Sequence, residues 1–102
     1  MTNTIQHVAT FWLKDPDNAD HLQELVDGAM ELANVPGVTA VYAGPRANTD
    51  WPVPDYDVDA AMVISFEDLE AVGVYVPHPL HLTMIDTVER LTKRVHAYYI
   101  NA

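Results

Sequence analysis

Cysteine is absent from the 102-residue chain. That excludes disulfides, thiolate nucleophiles and Cys-ligated zinc or iron, and it accords with a reducing compartment. Basic residues are scarce: 5 Lys and Arg stand against 15 Asp and Glu, for a formal net charge of −10. A phosphate-binding surface needs clustered cations to displace counterions, so nucleic acid is not an expected partner and anionic ligands would approach against the field. No apolar run nears the ~18 residues of a membrane span, and the opening Met-Thr-Asn-Thr-Ile-Gln has neither the basic nor the oily segment of a signal peptide. The expectation is a cytoplasmic protein without membrane contact. A Gly-rich phosphate loop, a Gly-x-Ser-x-Gly elbow and a His-Glu-x-x-His pair are missing as well, so no motif for nucleotide, serine-hydrolase or zincin chemistry is present.

What is present is 49% apolar residues in a length suited to one domain, taken as residues 1–102. Folding such a chain buries roughly 60–70% of its unfolded surface, a modest core that a second subunit would reinforce. Ile5 to Leu13 alternates, with Ile5, His7, Ala9, Phe11 and Leu13 on one side and Gln6, Val8, Thr10 and Trp12 on the other, the pattern of a strand. Asp15-Pro16 reads as an N-cap with proline at the first helical position, followed by an amphipathic helix up to Pro36-Gly37. Val38 to Gly44 is a second strand and the proline-rich stretch Pro45 to Asp57 a loop. Val58 to Phe66 is a third strand, and Ser65-Phe66-Glu67-Asp68 opens a short helix running to about Tyr75. From Pro79 a third helix carries His81, Met84, Ile85, Val88 and Leu91 along one stripe, with Arg90, Lys93 and Arg94 placed in its last turn. Val95 to Ile100 closes the chain as a fourth strand.

The order β-α-β-β-α-α-β is the split βαβ, ferredoxin-like pattern of the α+β class: a four-stranded antiparallel sheet with helices on one face. One sheet face then stays uncovered. Val8, Trp12, Ala61 and Val63, or their opposites, must lie on it, and both sets are too apolar for water. A second copy packing sheet to sheet as an isologous homodimer is the economical solution.

Chemistry concentrates in Tyr75-Val76-Pro77-His78-Pro79-Leu80-His81. Two imidazoles and a phenol fall within seven residues, at a corner whose backbone two prolines constrain. The spacing of His81 to Met84 and Val88 turns it inward, and His7, on the Phe11 side of the first strand, is placed to meet it between sheet and helices. Inward imidazoles need polar partners or a ligand; a satisfied core histidine is the structural alternative. His78 is placed either to cap the third helix or to bind ligand. His78 and His81 lack a carboxylate at a matching offset, so no metal site is expected. Asp55, Asp57 and Asp59 alternate before the third strand and read as a solvated acidic loop and not as a calcium site.

IQHVATFWLK, VPGVTAVYAG, DAAMVISF and above all YVPHPLH resemble the stress-response A/B barrel domain proteins over nearly the whole chain. The resemblance implies a ferredoxin-like fold that dimerises through its sheets into an α+β barrel. One member is a plant polyketide cyclase that performs an intramolecular aldol condensation without metal or organic cofactor. Its catalytic Tyr and His fall on Tyr75 and His81, and its first-strand pocket His falls on His7. On the same alignment a third-strand pocket His falls on Ala60 and a first-helix pocket Tyr on Gly28, so the cavity here differs in shape and polarity.

The leading expectation is a small-molecule pocket for enolisation or aldol chemistry on a small apolar or polyketide-like ligand. Tyr75 would stabilise the developing enolate and His81 would act as general base, since imidazole titrates close to working pH. His7, His78, Phe11, Met62 and Met84 would bind substrate, with no cofactor. A non-catalytic stress-response homodimer or apolar-ligand binder is the competing reading. A cofactor-independent monooxygenase is a third, by fold analogy alone.

Overall fold

The alternation of IQHVATFWL becomes strand β1 (Ile5–Leu13) in the computed structural model, which describes residues 4–102. Helix α1 (Ala19–Glu31) and a 3₁₀ turn at Leu32–Asn34 lead to β2 (Val38–Pro45), and β3 (Ala60–Phe66) follows the proline-rich loop. Helices α2 (Leu69–Tyr75) and α3 (Pro79–Leu91) precede β4 (Thr92–Asn101). The strands form one antiparallel sheet in the order β2-β3-β1-β4. This is the α+β, ferredoxin-like arrangement. Among the described residues no helix is long and apolar enough to cross a membrane.

Register fixes the two faces, because a one-residue slip would exchange them. Ile5, His7, Ala9, Phe11 and Leu13 of β1 and Ala60, Met62, Ile64 and Phe66 of β3 are buried beneath the helices. Against them pack Leu25, Ala29 and Leu32 from the first helical segment, Ala71 and Tyr75 from α2, and Met84 and Leu91 from α3. Each large side chain so buried contributes roughly 1.5–3 kcal/mol. Gly37, at φ 87°, lets the start of β2 approach α2: a Cβ there would lie 2.6 Å from the Ala71 Cβ. The same turn accepts the Glu67 N–H on the Gly37 carbonyl at 3.0 Å, which sets where α2 begins and hence where Tyr75 ends it.

Three details differ from the sequence expectation. The cap of α1 is Asn18, whose side chain accepts the His21 N–H at 3.1 Å. Asp15 and Pro16 instead form a turn closed by the Asn18 N–H on the Asp15 carbonyl at 3.1 Å; the same dipeptide suits positions i and i+1 of a β-turn. Lys93 and Arg94 are not in the last turn of α3, which ends at Leu91, but on β4. The Arg94 guanidinium lies 3.8 Å from the centroid of the Trp12 ring. Asp57 and Asp59 do more than face water: Asp57 accepts the Trp12 indole N–H at 3.1 Å and Asp59 the Leu13 backbone N–H at 2.8 Å. The indole holds the Asp57 carboxyl below its usual range, with Arg94 and Lys93 adding to the effect.

Candidate functional site

Between the sheet and α2 and α3 lies a cavity of about 290 Å³. Alternation on β1 delivers His7, Ala9 and Phe11 to it, and β3 delivers Met62. Tyr75 enters from the last turn of α2. Helix α3 adds His81, Met84, Ile85, Val88 and Glu89, and β4 adds Val95, Ala97 and Tyr99. Helical spacing puts 81, 84, 85 and 88 on one side of α3, so the base candidate and the apolar wall arrive together.

The corner before α3 is built by His78. Its backbone is extended, Pro79 occupies the first helical turn, and its Nδ1 accepts the Leu80 N–H at 3.1 Å. His78 is therefore placed as the cap of α3 and not among the residues lining the cavity. His81, one turn on, has its Nδ1 2.7 Å from the Val76 carbonyl. A carbonyl only accepts, so that nitrogen carries the proton and the neutral ring keeps its lone pair on Nε2. The same logic fixes His7, whose Nδ1 lies 3.1 Å from the Tyr98 carbonyl.

The rings form a chain. Tyr75 and His81 stand 4.2 Å apart between centroids, tilted by 31°, and Tyr75 meets His7 edge-on at 6.1 Å. Tyr99 stacks on His7 at 4.2 Å and 15°. Phe66 supports Tyr75 edge-on at 5.0 Å. Only 1% of Tyr75 is exposed, and burial drives its phenol far above the usual range, with Tyr99 adding to the shift. The hydroxyl therefore remains a neutral donor. Among the described residues it has no hydrogen-bond partner, yet no enclosed side-chain polar atom is left unsatisfied, so the oxygen opens on the cavity. Burial lowers the His7 pKa; the Tyr98 carbonyl opposes this and His81 reinforces it.

Of the residues singled out from the sequence, the structure brings His7, Phe11, Met62, Tyr75, His81 and Met84 to one cavity. Tyr99 and Glu89 escaped that reading. Tyr99 is the β4 residue directly opposite His7, a pairing visible only once register is known. At Gly28 an added Cβ would lie 3.2 Å from the Met84 Sδ, so the missing side chain leaves Met84 its position against the cavity. Among the described residues no three His, Asp or Glu come together in a way that would hold a metal.

Residues 5–100 match the model of the stress responsive A/B barrel domain. The chain belongs to that family. No curated protein matches it, but solved structures do. A dimeric ferredoxin-like protein of unknown function from Thermobifida fusca is similar at TM-score 0.80 and 18% identity, over 100% of this chain and 93% of the other. Protein At3g17210 of Arabidopsis thaliana is similar at TM-score 0.79 and 21% identity, over 96% and 94%. The hydroxynitrile lyase of Passiflora edulis reaches TM-score 0.87 at 10% identity, over 100% and 95%. At such identities the likeness is one of fold.

Proposed function

We propose that this A/B barrel protein is a cytoplasmic small-molecule enzyme of the enolisation or aldol class, cyclase-like in its chemistry, in which Tyr75 and His81 act on a carbonyl compound. The observation that carries the reading is the 4.2 Å approach of Tyr75 to His81 at an apolar cavity, with His81 Nδ1 engaged by Val76 and Nε2 left as the base. Nε2 takes a proton from the carbon beside the carbonyl, and the electron pair moves onto oxygen. The neutral Tyr75 hydroxyl donates to that enolate oxygen. The enolate carbon then attacks a second carbonyl, whose oxygen receives that electron pair and takes the proton from the imidazolium, or the imidazolium returns the proton to carbon. His7 meets Tyr75 edge-on and braces it. A volume of about 290 Å³ lies at the small end of ligand pockets, which favours a compact substrate. The name of the Passiflora protein adds that this fold carries lyase chemistry elsewhere, an analogy of fold alone.

Exchange of the methyl protons of acetophenone in D₂O tests the step without knowledge of the natural substrate. Proton spectra should show faster loss of the methyl signal with the protein than with His81→Gln. Equal rates for both, with the ketone bound, would overturn the assignment.

A second reading is non-catalytic binding of an apolar ligand. The bonds of His78 to Leu80 and of His81 to Val76 favour it, because they give the corner a purely architectural role. Binding without exchange would support it over the first.

Either reading includes a homodimer through the open sheet face. Tyr42, Val63, Val8 and Tyr98 lie opposite one another across all four strands, with Tyr42 69% and Tyr98 55% exposed. Such an apolar row calls for a partner.

A further inference from the structure

The charge pattern of the cavity restricts what it will hold. Among the described residues that line it, Glu89 is the one carboxylate, and there is no lysine or arginine. Glu89 follows His81 by eight residues on α3, about two turns along the same side of the helix. The cations beside Glu89 are engaged. Arg90 pairs with Glu24 of α1, and the Lys14 ammonium donates to the Glu89 backbone carbonyl at 3.1 Å, where it satisfies the carbonyl end of α3. An anionic substituent in the cavity would therefore meet no free cation, one exposed carboxylate and the negative end of a helix dipole, in a chain of net charge −10. An uncharged substituent meets Phe11, Met62, Met84 and Val88, which reward apolar contact.

We infer that the site accepts uncharged carbonyl compounds and rejects those bearing a carboxylate or phosphate, and that Glu89 is the residue setting this selectivity. The inference rests on the carbonyl-binding reading of the cavity and adds to it a substrate class. A carboxylate or phosphate is thus kept out of the cavity, so the reaction that supplies the substrate must leave uncharged the part of it that enters.

The test compares acetophenone with 4-acetylbenzoate, which adds only a carboxylate to the same ketone. The chain has 4 methionines, of which Met62 and Met84 line the cavity while Met30 is exposed on α1. Methyl-labelled methionine NMR at pH 8, above the ordinary imidazole range, thus reads binding in the cavity against an internal reference. Acetophenone should shift the Met62 and Met84 methyls but not that of Met30. 4-Acetylbenzoate should bind about tenfold or more weakly, the scale of one partly screened like-charge contact. Glu89→Gln should narrow that ratio, and Glu89→Lys should reverse it. Equal binding of both ketones by the unaltered protein overturns the selectivity, and a ratio that neither variant moves overturns the role of Glu89. If acetophenone leaves both methyls unmoved, the carbonyl-binding reading and the selectivity fall together. If it binds without methyl exchange, the enolisation step falls while the selectivity stands.

Discussion

The two faces of the sheet each carry residues unusual for their side. The face covered by helices is where the polar aromatics gather: His7, Tyr75, His81 and Tyr99 meet around one cavity. The uncovered face carries the apolar row Tyr42, Val63, Val8 and Tyr98. A small domain can bury few polar groups without losing stability, and His7 and Tyr75 are two that it does bury, which accords with the proposed site. Leaving a row of valines and tyrosines outside points to a partner. One strand, β1, supplies both faces by simple alternation, with His7 inward and Val8 outward.

The contrast breaks most visibly on the outer face. Val63→Asp should place an unpaired carboxylate in the middle of the proposed interface, a loss of about 3–5 kcal/mol. Sedimentation should then fall from twice 11.4 kDa to 11.4 kDa, and a protein already monomeric before the substitution would refute the interface. On the inner face Tyr75→Phe keeps the ring and removes the donor. The exchange rate of bound acetophenone should drop about a hundredfold, while thermal stability moves by less than about 1.5 kcal/mol. Unchanged exchange would make Tyr75 a packing residue.

Two smaller effects sharpen the inner face. His78→Ala should cost about 1 kcal/mol in urea unfolding, the scale of a lost helix cap, and His78→Asn should recover most of it. Acetophenone binding should follow neither change, because His78 lies outside the cavity lining; a matching loss of affinity would bring it into the site. His7 yields a pH effect. Its pKa in the folded chain lies below the ordinary value of 6.5, so the unfolded chain binds the proton more readily. Its contribution is complete above that value and is lost as pH falls toward the folded pKa. Melting temperatures between about pH 7.5 and 5 should decline, and His7→Gln should flatten the decline; an equal slope in both proteins would mean that His7 is not the group responsible.

Much of this was legible beforehand because it depends on local period. The faces of β1 and β3 follow from strict alternation, and the inward turn of His81 from its spacing to Met84 and Val88. The family motif YVPHPLH lies in one continuous stretch. What could not be read depends on pairing across the chain. The end of α3 has no Gly or Pro to stop it, and Arg90, Lys93 and Arg94 imitate a helix terminus. The chain leaves the helix there because the Lys14 N–H takes the Leu91 carbonyl at 2.9 Å and Thr92 pairs with Leu13 in the sheet. Tyr99 belongs to the site only through its register with His7. Asp57 and Asp59 became anchors for the end of β1 across more than forty residues.

The direct passage of α3 into β4, Leu91 to Thr92 with no residue between, also governs how a molecule would reach the cavity. With no loop at that junction there is no hinge segment to swing, and both walls are fixed by regular backbone hydrogen bonds. What can move are side chains at the rim, Tyr99 at 44% and Ile85 at 39% exposure. Rotamer changes of exposed side chains take picoseconds to nanoseconds, whereas loop closures take microseconds to milliseconds. Under the proposed function, entry past the α3–β4 wall would then be set by side-chain motion and by the affinity of what is held, and turnover would carry no slow step from that wall.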